Sequence, residues 1–302
     1  MLTAVETKQL TKSYGMKYAL QDVDLTVYEG DIFGLVGKNG AGKTTLFKLI
    51  QGITRPTDGQ ILLFGSKDRT KQRARIGALI ETPHFYPYMS AEQNLEYFRI
   101  QRGIAEKDSV IEVLRLTGLM DERKKLFRAF SMGMKQRLGI ALSLLGEPDL
   151  LLLDEPTNGI DPEGIVQIRS LLRKLNRERH ITILISSHIL SELAHIANRY
   201  AIMDAGLILD TVTREELDAS TRSAIRIRTD SPERVVVILE EVFSLSDFRV
   251  ENDKDVLLYE SFGSIPEIIR ALVVSGIRVY DVHRLEAQLE DYFLQKVGGD
   301  HV

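Results

Sequence analysis

The chain has 302 residues, 44% hydrophobic and 27% charged, with a net charge of −4. That is room for about two domains at roughly 100–200 residues each, and the composition excludes disorder, coiled coil and collagen. The mild acidity gives no reason to expect nucleic acid, and the basic clusters at Arg69 to Arg75 and Arg123 to Arg128 read as solvated helix faces.

The absence of cysteine excludes disulfides and thiolate metal sites and fits a reducing compartment. The start, Met1 to Glu6, lacks the basic and apolar regions of a secretion signal. No uninterrupted apolar run reaches about 18 residues. The chain is therefore expected not to cross a membrane by itself, and to be soluble or held to a membrane by a partner.

Residues 4 to 28 alternate apolar and polar as strands do, with a turn near Ser13 to Lys17. Tyr14 in that turn could stack on an adenine or simply pack at the surface. The apolar run Ile32 to Val36 then leads into Gly37-Lys38-Asn39-Gly40-Ala41-Gly42-Lys43-Thr44-Thr45. All fixed positions of G-x-x-x-x-G-K-[ST] are present between a strand and a helix, which makes this a phosphate-binding loop. Its glycines let backbone N–H groups turn toward a polyphosphate, Lys43 would reach the β- and γ-phosphates, and the Thr44 hydroxyl would ligate Mg²⁺.

A short strand at Gly59 to Gly65 follows, and Arg75 to Ile80 leads to Glu81, after which Pro83 and Pro87 break the regular structure. From Ser90 the periodicity turns helical, with Ser90-Ala91-Glu92-Gln93 as a capping box and a second helix over Val110 to Leu116. Ser131 can cap a further helix running to Leu145. That helix start, with Ser131, Gly133 and Lys135, is either a second anion site or ordinary capping.

The strand Leu150 to Leu153 is apolar on both faces, as a central parallel strand should be, and delivers Asp154-Glu155 at its carboxyl end, the edge where open α/β sheets bind ligands. Buried without a partner the two carboxylates would be costly, and no arginine or lysine lies nearby in sequence. Mg²⁺ on Asp154 and a water on Glu155 would explain both. Asp161-Pro162 opens the next helix, and the run Ile181 to Ile185 ends in Ser186-Ser187-His188, leaving the sheet at the same edge as Glu155.

A boundary near Ser220 separates a second pattern of strand, helix, strand, strand, helix, strand. Ser231-Pro232-Glu233 and Ser264-Ile265-Pro266-Glu267 open its two helices alike, which suggests a duplicated unit and a ferredoxin-like sandwich. An amphipathic helix is expected at Leu285 to Lys296. The expected domains are thus residues 1–219, with a mixed α/β sheet and a helical insert at about 82–146, and an accessory α+β domain at 220–302.

Taken together, the loop at Gly37 to Thr45, the segment Ser131 to Arg137, Asp154-Glu155-Pro156-Thr157, Asp161 and His188 resemble the nucleotide-binding subunits of ABC transporters, over residues 3 to 215. Two positions depart from the commonest pattern. Glu81 stands in place of the usual glutamine, and Phe130-Ser131-Met132-Gly133-Met134 replaces Leu-Ser-Gly-Gly-Gln. Both departures are similar to the bacitracin-resistance and lantibiotic-immunity exporters, whose subunits often carry a C-terminal extension.

The resemblance implies a P-loop NTPase fold and ATP hydrolysis. Tyr14 would stack on the adenine, and Lys43 and the loop amides would hold the phosphates. Thr44 and Asp154 would hold Mg²⁺, with Glu81 contributing directly or through water. Glu155 would polarise the attacking water and His188 would contact the γ-phosphate. Ser131, Gly133 and Asp161 would act across an ATP-dependent homodimer. It further implies a separate transmembrane permease docked near Pro83 to Met89, and a peripheral place on the cytoplasmic face of a bacterial membrane. The alternative is a soluble ABC ATPase that regulates or remodels a cytosolic target, although such proteins usually carry two cassettes and this chain has one phosphate loop.

Overall fold

In a computed structural model, residues 2–81, 84–220, 223–252, 254–260, 262–285, 292 and 296 are described. The chain begins with an antiparallel hairpin, β1 (Thr3–Tyr14) and β2 (Lys17–Tyr28), in which Tyr14 faces Lys17 across a turn made by Gly15 at positive φ. After β3 (Ile32–Val36) and α1 (Lys43–Gln51), β4 (Asp58–Leu63) joins the free edge of β1, giving a three-stranded sheet ordered β2-β1-β4.

The second sheet has six strands. Beside β3 it contains β5 (Ile76–Leu79), β6 (Leu150–Leu153), β7 (Thr182–Ser187), β8 (Arg199–Asp204) and β9 (Leu207–Thr213), ordered β5-β6-β7-β3-β8-β9. The first five of these run parallel and β9 closes the edge antiparallel. β6 and β7 are buried along their whole length, as strands covered on both faces must be. Phe33, Leu35, Leu152 and Leu184 of this sheet share one core with Val5, Leu25 and Leu63 of the first and with Leu46, Phe47 and Ile50 of α1. Fully burying side chains of this size is worth about 1.5–3 kcal/mol each. That core locks α1, and the loop before it, between two sheets.

The helical insert contains α3 (Ala91–Gln101), α4 (Ser109–Leu116) and α5 (Met132–Leu144). Its expected capping box is formed: Ser90 Oγ accepts from the Gln93 amide at 3.1 Å, and Gln93 Oε1 accepts from the Ser90 amide at 2.8 Å. Remaining helices of this part are α2 (Arg69–Arg73), α6 (Pro162–Arg179), α7 (Leu190–Ala194) and α8 (Arg214–Ser220). The basic cluster at α2 is not simply solvated. Arg73 donates to the carbonyls of Ile50 and Leu49 at 3.2 and 3.4 Å, completing the C-terminus of α1, and Arg75 pairs with Asp149 at 2.5 Å. Burial, followed by the nearby Arg69 charge, lowers the Arg73 pKa.

The described residues fall into two compact units, one of the residues up to Arg214 together with Lys296 and the other from Glu215 to Tyr292, so that the first boundary falls within α8. The second unit contains β10 (Ala224–Thr229), α9 (Pro232–Glu241), β11 (Phe248–Asn252), β12 (Asp255–Leu258), α10 (Ile265–Val274) and β13 (Val279–Leu285). Its sheet is antiparallel throughout, ordered β11-β12-β10-β13, the connectivity of a ferredoxin-like sandwich. Ile225, Ile227, Val256 and Leu258 face Val235 and Leu239 of α9 and Ile268 and Leu272 of α10. Both helices open with proline, yet neither Ser231 nor Ser264 makes a side-chain cap bond. The helix expected from Leu285 to Lys296 falls almost wholly outside the described residues, and Leu285 itself ends β13.

Candidate functional site

The carboxyl ends of β3, β5, β6 and β7 bring Gly37, Glu81, Asp154-Glu155 and His188 to one sheet edge. The loop leaves β3 through Gly37, whose amide donates to Ser187 O at 3.2 Å. A Cβ there would lie 2.3 Å from Met203 O, so no larger residue fits. Gly42, at φ 111, turns the chain into α1 and would bring a Cβ within 2.7 Å of Ala19 O.

Lys43 is 6% exposed, and its ammonium donates to the carbonyls of Gly37 at 2.5 Å and Lys38 at 3.2 Å. It also stands 3.1 Å from Glu155 Oε1. The partner that the two carboxylates lacked in local sequence is therefore this lysine, brought from the loop by the β3–β7–β6 pairing. The ammonium lies off the hydrogen-bonding direction, leaving Glu155 Oε1 buried beside a charge but without a hydrogen bond among the described residues. Glu155 Oε2 meets His188 Nδ1 at 2.7 Å. The Glu155 backbone adopts φ 49, a left-handed conformation of the kind found at functional sites.

Asp154 is held differently. Its Oδ2 accepts from Thr44 Oγ1 at 2.6 Å and its Oδ1 from Ser186 Oγ at 2.7 Å, while Ser186 Oγ accepts from the Glu155 amide at 2.9 Å. Only neutral hydroxyls answer this carboxylate among the described residues. A hydroxyl and an uncompensated carboxylate form a hard oxygen pair that fits Mg²⁺. Glu81 does not join this pair: its carboxylate meets Lys48 of α1 at 2.5 Å.

A cleft of about 720 Å³ opens over the loop, lined by Asn39, Gly40, Ala41, Gly42, Lys43, Thr44 and Thr45 together with Tyr14 and Glu155. Tyr14 is 54% exposed at its rim, with Lys12 Nζ 4.8 Å from the ring centroid. Lys17, Tyr18 and Gly206 also line it. Gly37 and Lys38 contribute carbonyls to Lys43 rather than cleft wall. Sequence reading missed Tyr18 and Ser186. A serine pair closing an otherwise apolar central strand was the signal for Ser186.

Ser131, Gly133 and Asp161 form a separate group outside this cleft. Ser131 caps α5, accepting from the Met134 amide at 3.3 Å. A Cβ on Gly133 would touch Ile160 at 3.5 Å, so the start of α5 lies against the turn that delivers Asp161 to the N-terminus of α6. Of the stretch expected to face a permease, Pro83 lies outside the described residues. Phe85 is buried against Phe98 and Phe127, whereas Tyr86 and Tyr88 are exposed. Asn94 fixes the Tyr86 backbone through bonds of 2.7 and 3.1 Å. No helix among the described residues is long and apolar enough to cross a membrane.

Residues 20–158 match the ABC transporter family. The chain is 40% identical to the bacitracin transport ATP-binding protein BcrA of Bacillus licheniformis, covering 99% of both chains. It is 38% identical over 216 residues to the lantibiotic transport ATP-binding protein SrtF of Streptococcus pyogenes, covering 72% of this chain and 92% of the relative. Among solved structures it is similar to the dimeric ATP-binding cassette MJ0796 in a post-hydrolysis state with ADP and Pi, with a TM-score of 0.62, 26% identity and coverage of 70% of this chain and 98% of the other. A strand-to-helix phosphate loop facing a carboxylate pair at one sheet edge, and full-length similarity at this level, lead to one conclusion: the chain belongs to the ATP-binding proteins of the ABC transporter family, which hydrolyse ATP to drive transport.

Proposed function

We propose that this chain powers a separate permease that exports a peptide antibiotic or a similar amphiphile, working from the cytoplasmic face of a bacterial membrane. The observation that carries the reading is the meeting of Lys43, Thr44, Asp154, Glu155 and His188 at one edge. Full-length similarity to a bacitracin transport ATP-binding protein supports the cargo class. Residues 1–219 would form the nucleotide-binding domain and 220–302 an accessory domain.

In the proposed mechanism Tyr14 stacks on the adenine, and the amides from Gly37 to Thr45 with Lys43 hold the phosphates. Thr44 and Asp154 are the residues that would hold Mg²⁺, whose chemistry is neutralisation of the phosphate charge. Glu155 takes the role of polarising the attacking water, with His188, its partner at 2.7 Å, orienting the carboxylate and reaching toward the γ-phosphate. Catalysis comes mostly from positioning and charge stabilisation, since phosphoryl transfer needs little covalent help. Ser131, Gly133 and Asp161 lie away from the chain's own cleft and would complete the ATP site of a second copy, so that two chains enclose two nucleotides. The dimeric MJ0796 cassette supports that arrangement.

The test is affinity purification of the tagged full-length chain from its native membrane, followed by ATPase assay with and without the peptide antibiotic. Retention of a multi-span membrane protein and cargo-stimulated hydrolysis are expected. A chain that carries no membrane partner yet hydrolyses ATP at full rate would refute the permease reading.

A further inference from the structure

Glu81 and Asp154-Glu155 end neighbouring strands, since Leu79 of β5 pairs with Leu153 of β6. Three carboxylates therefore leave one stretch of the sheet edge, and each is answered in its own way. Glu155 has the Lys43 ammonium at 3.1 Å, Asp154 has the hydroxyls of Thr44 and Ser186, and Glu81 has the Lys48 ammonium at 2.5 Å.

Lys48 follows Thr44 on α1 by one helical turn, so their side chains share a face of the helix. Glu81 adopts φ 60, a backbone conformation unfavourable for a residue with a Cβ. An ion pair to α1 fixes its carboxylate there. A glutamine at this position would make no such pair, whereas a carboxylate set beside a polyphosphate site calls for a countercharge.

We infer that Lys48 is a positioning residue for Glu81: its ammonium holds the carboxylate against α1, one turn from Thr44, and competes for it with the divalent cation of the ATP site. The inference rests on the ATP and Mg²⁺ reading above and adds Glu81 and Lys48 to it. A cation drawing on Glu81 would have to share its carboxylate with the Lys48 ammonium, which holds Oε1. The Mg²⁺ concentration needed for nucleotide binding is therefore set in part by a lysine whose ammonium is bonded to Glu81 and not to Thr44 or Asp154.

The test titrates the full-length chain with Mg²⁺ at a fixed concentration of a fluorescent, non-hydrolysable ATP analogue, reading binding rather than turnover. Lys48→Met should lower the Mg²⁺ midpoint about two- to fivefold, the worth of one partly exposed ion pair. Lys48→Arg, which keeps the charge, should restore the parent midpoint. In a Glu81→Gln background the Lys48→Met shift should shrink, because the competitor no longer has a carboxylate to hold. An unchanged midpoint in Lys48→Met, or an equal shift whether residue 81 is Glu or Gln, overturns the inference and leaves the ATP reading standing. A parent chain that binds no nucleotide at any Mg²⁺ concentration overturns the ATP reading, and this inference with it.

Discussion

Lys43 Nζ and Glu155 Oε1 stand 3.1 Å apart, so the residue proposed to hold the phosphates and the residue proposed to activate water are electrostatic partners of each other. Moving Lys43 toward a phosphate loosens its hold on Glu155. Nucleotide binding and readiness of the base are thereby joined in one contact.

Glu155→Gln removes the base and the negative charge together. Turnover should fall by about 10²–10⁴-fold, the usual contribution of a general base. ATP affinity should be kept or raised, because Lys43 no longer has a carboxylate to leave. Steady-state ATPase rates and equilibrium nucleotide binding check both halves, and a near-normal rate would remove Glu155 from the role.

Lys43→Ala should abolish tight ATP binding and also lower the melting temperature, since it removes the charge beside the buried Oε1 of the half-buried Glu155 carboxylate. The double variant with Glu155→Gln should recover the stability but not the binding. Differential scanning calorimetry separates the two effects. Unchanged ATP affinity in the single variant would count against the loop assignment.

Light scattering of Glu155→Gln should show a monomer that becomes a dimer with ATP and Mg²⁺. Ser131→Arg added to it should stay monomeric while still binding one nucleotide per chain, because Ser131 lies outside the chain's own cleft. Dimerisation that survives the arginine would refute the action of Ser131 across the interface.

In the second unit, hydrogen bonds from Arg228 at 2.9 and 3.1 Å hold the buried Asp255 below the usual carboxylate range. With the folded pKa depressed, its stabilisation is complete above the unfolded carboxylate value and disappears as pH falls through the folded one. Asp255→Asn should therefore weaken this unit at neutral pH, and the gap from the parent should narrow toward about pH 3, below the ordinary Asp value. Urea unfolding at several pH values measures it. A gap independent of pH would mean the pair contributes by shape alone.

Much of the site was legible because it is written in consecutive residues. The loop Gly37 to Thr45, the run Leu150 to Glu155 and the cap Ser131 each carry a local pattern that matches the element it stands on. What local pattern could not show are contacts made by sheet order. Lys43 meets Glu155, Lys48 meets Glu81 and Ser186 meets Asp154 only because β3, β5, β6 and β7 share one edge. Arg73 shows the same limit from another side, since its acceptors are main-chain carbonyls at the C-terminal end of α1, which no side-chain pattern reports.

Asp154 joins Thr44 at the start of α1 to Ser186 on β7, while sitting itself at the end of β6. It is a fastener between three elements as well as a candidate ligand. The entropy of gathering those elements is lost once, when the chain folds, and need not be lost again at each catalytic cycle. An ATP hydrolase can thus begin each cycle with Thr44, Asp154 and Ser186 already held in register.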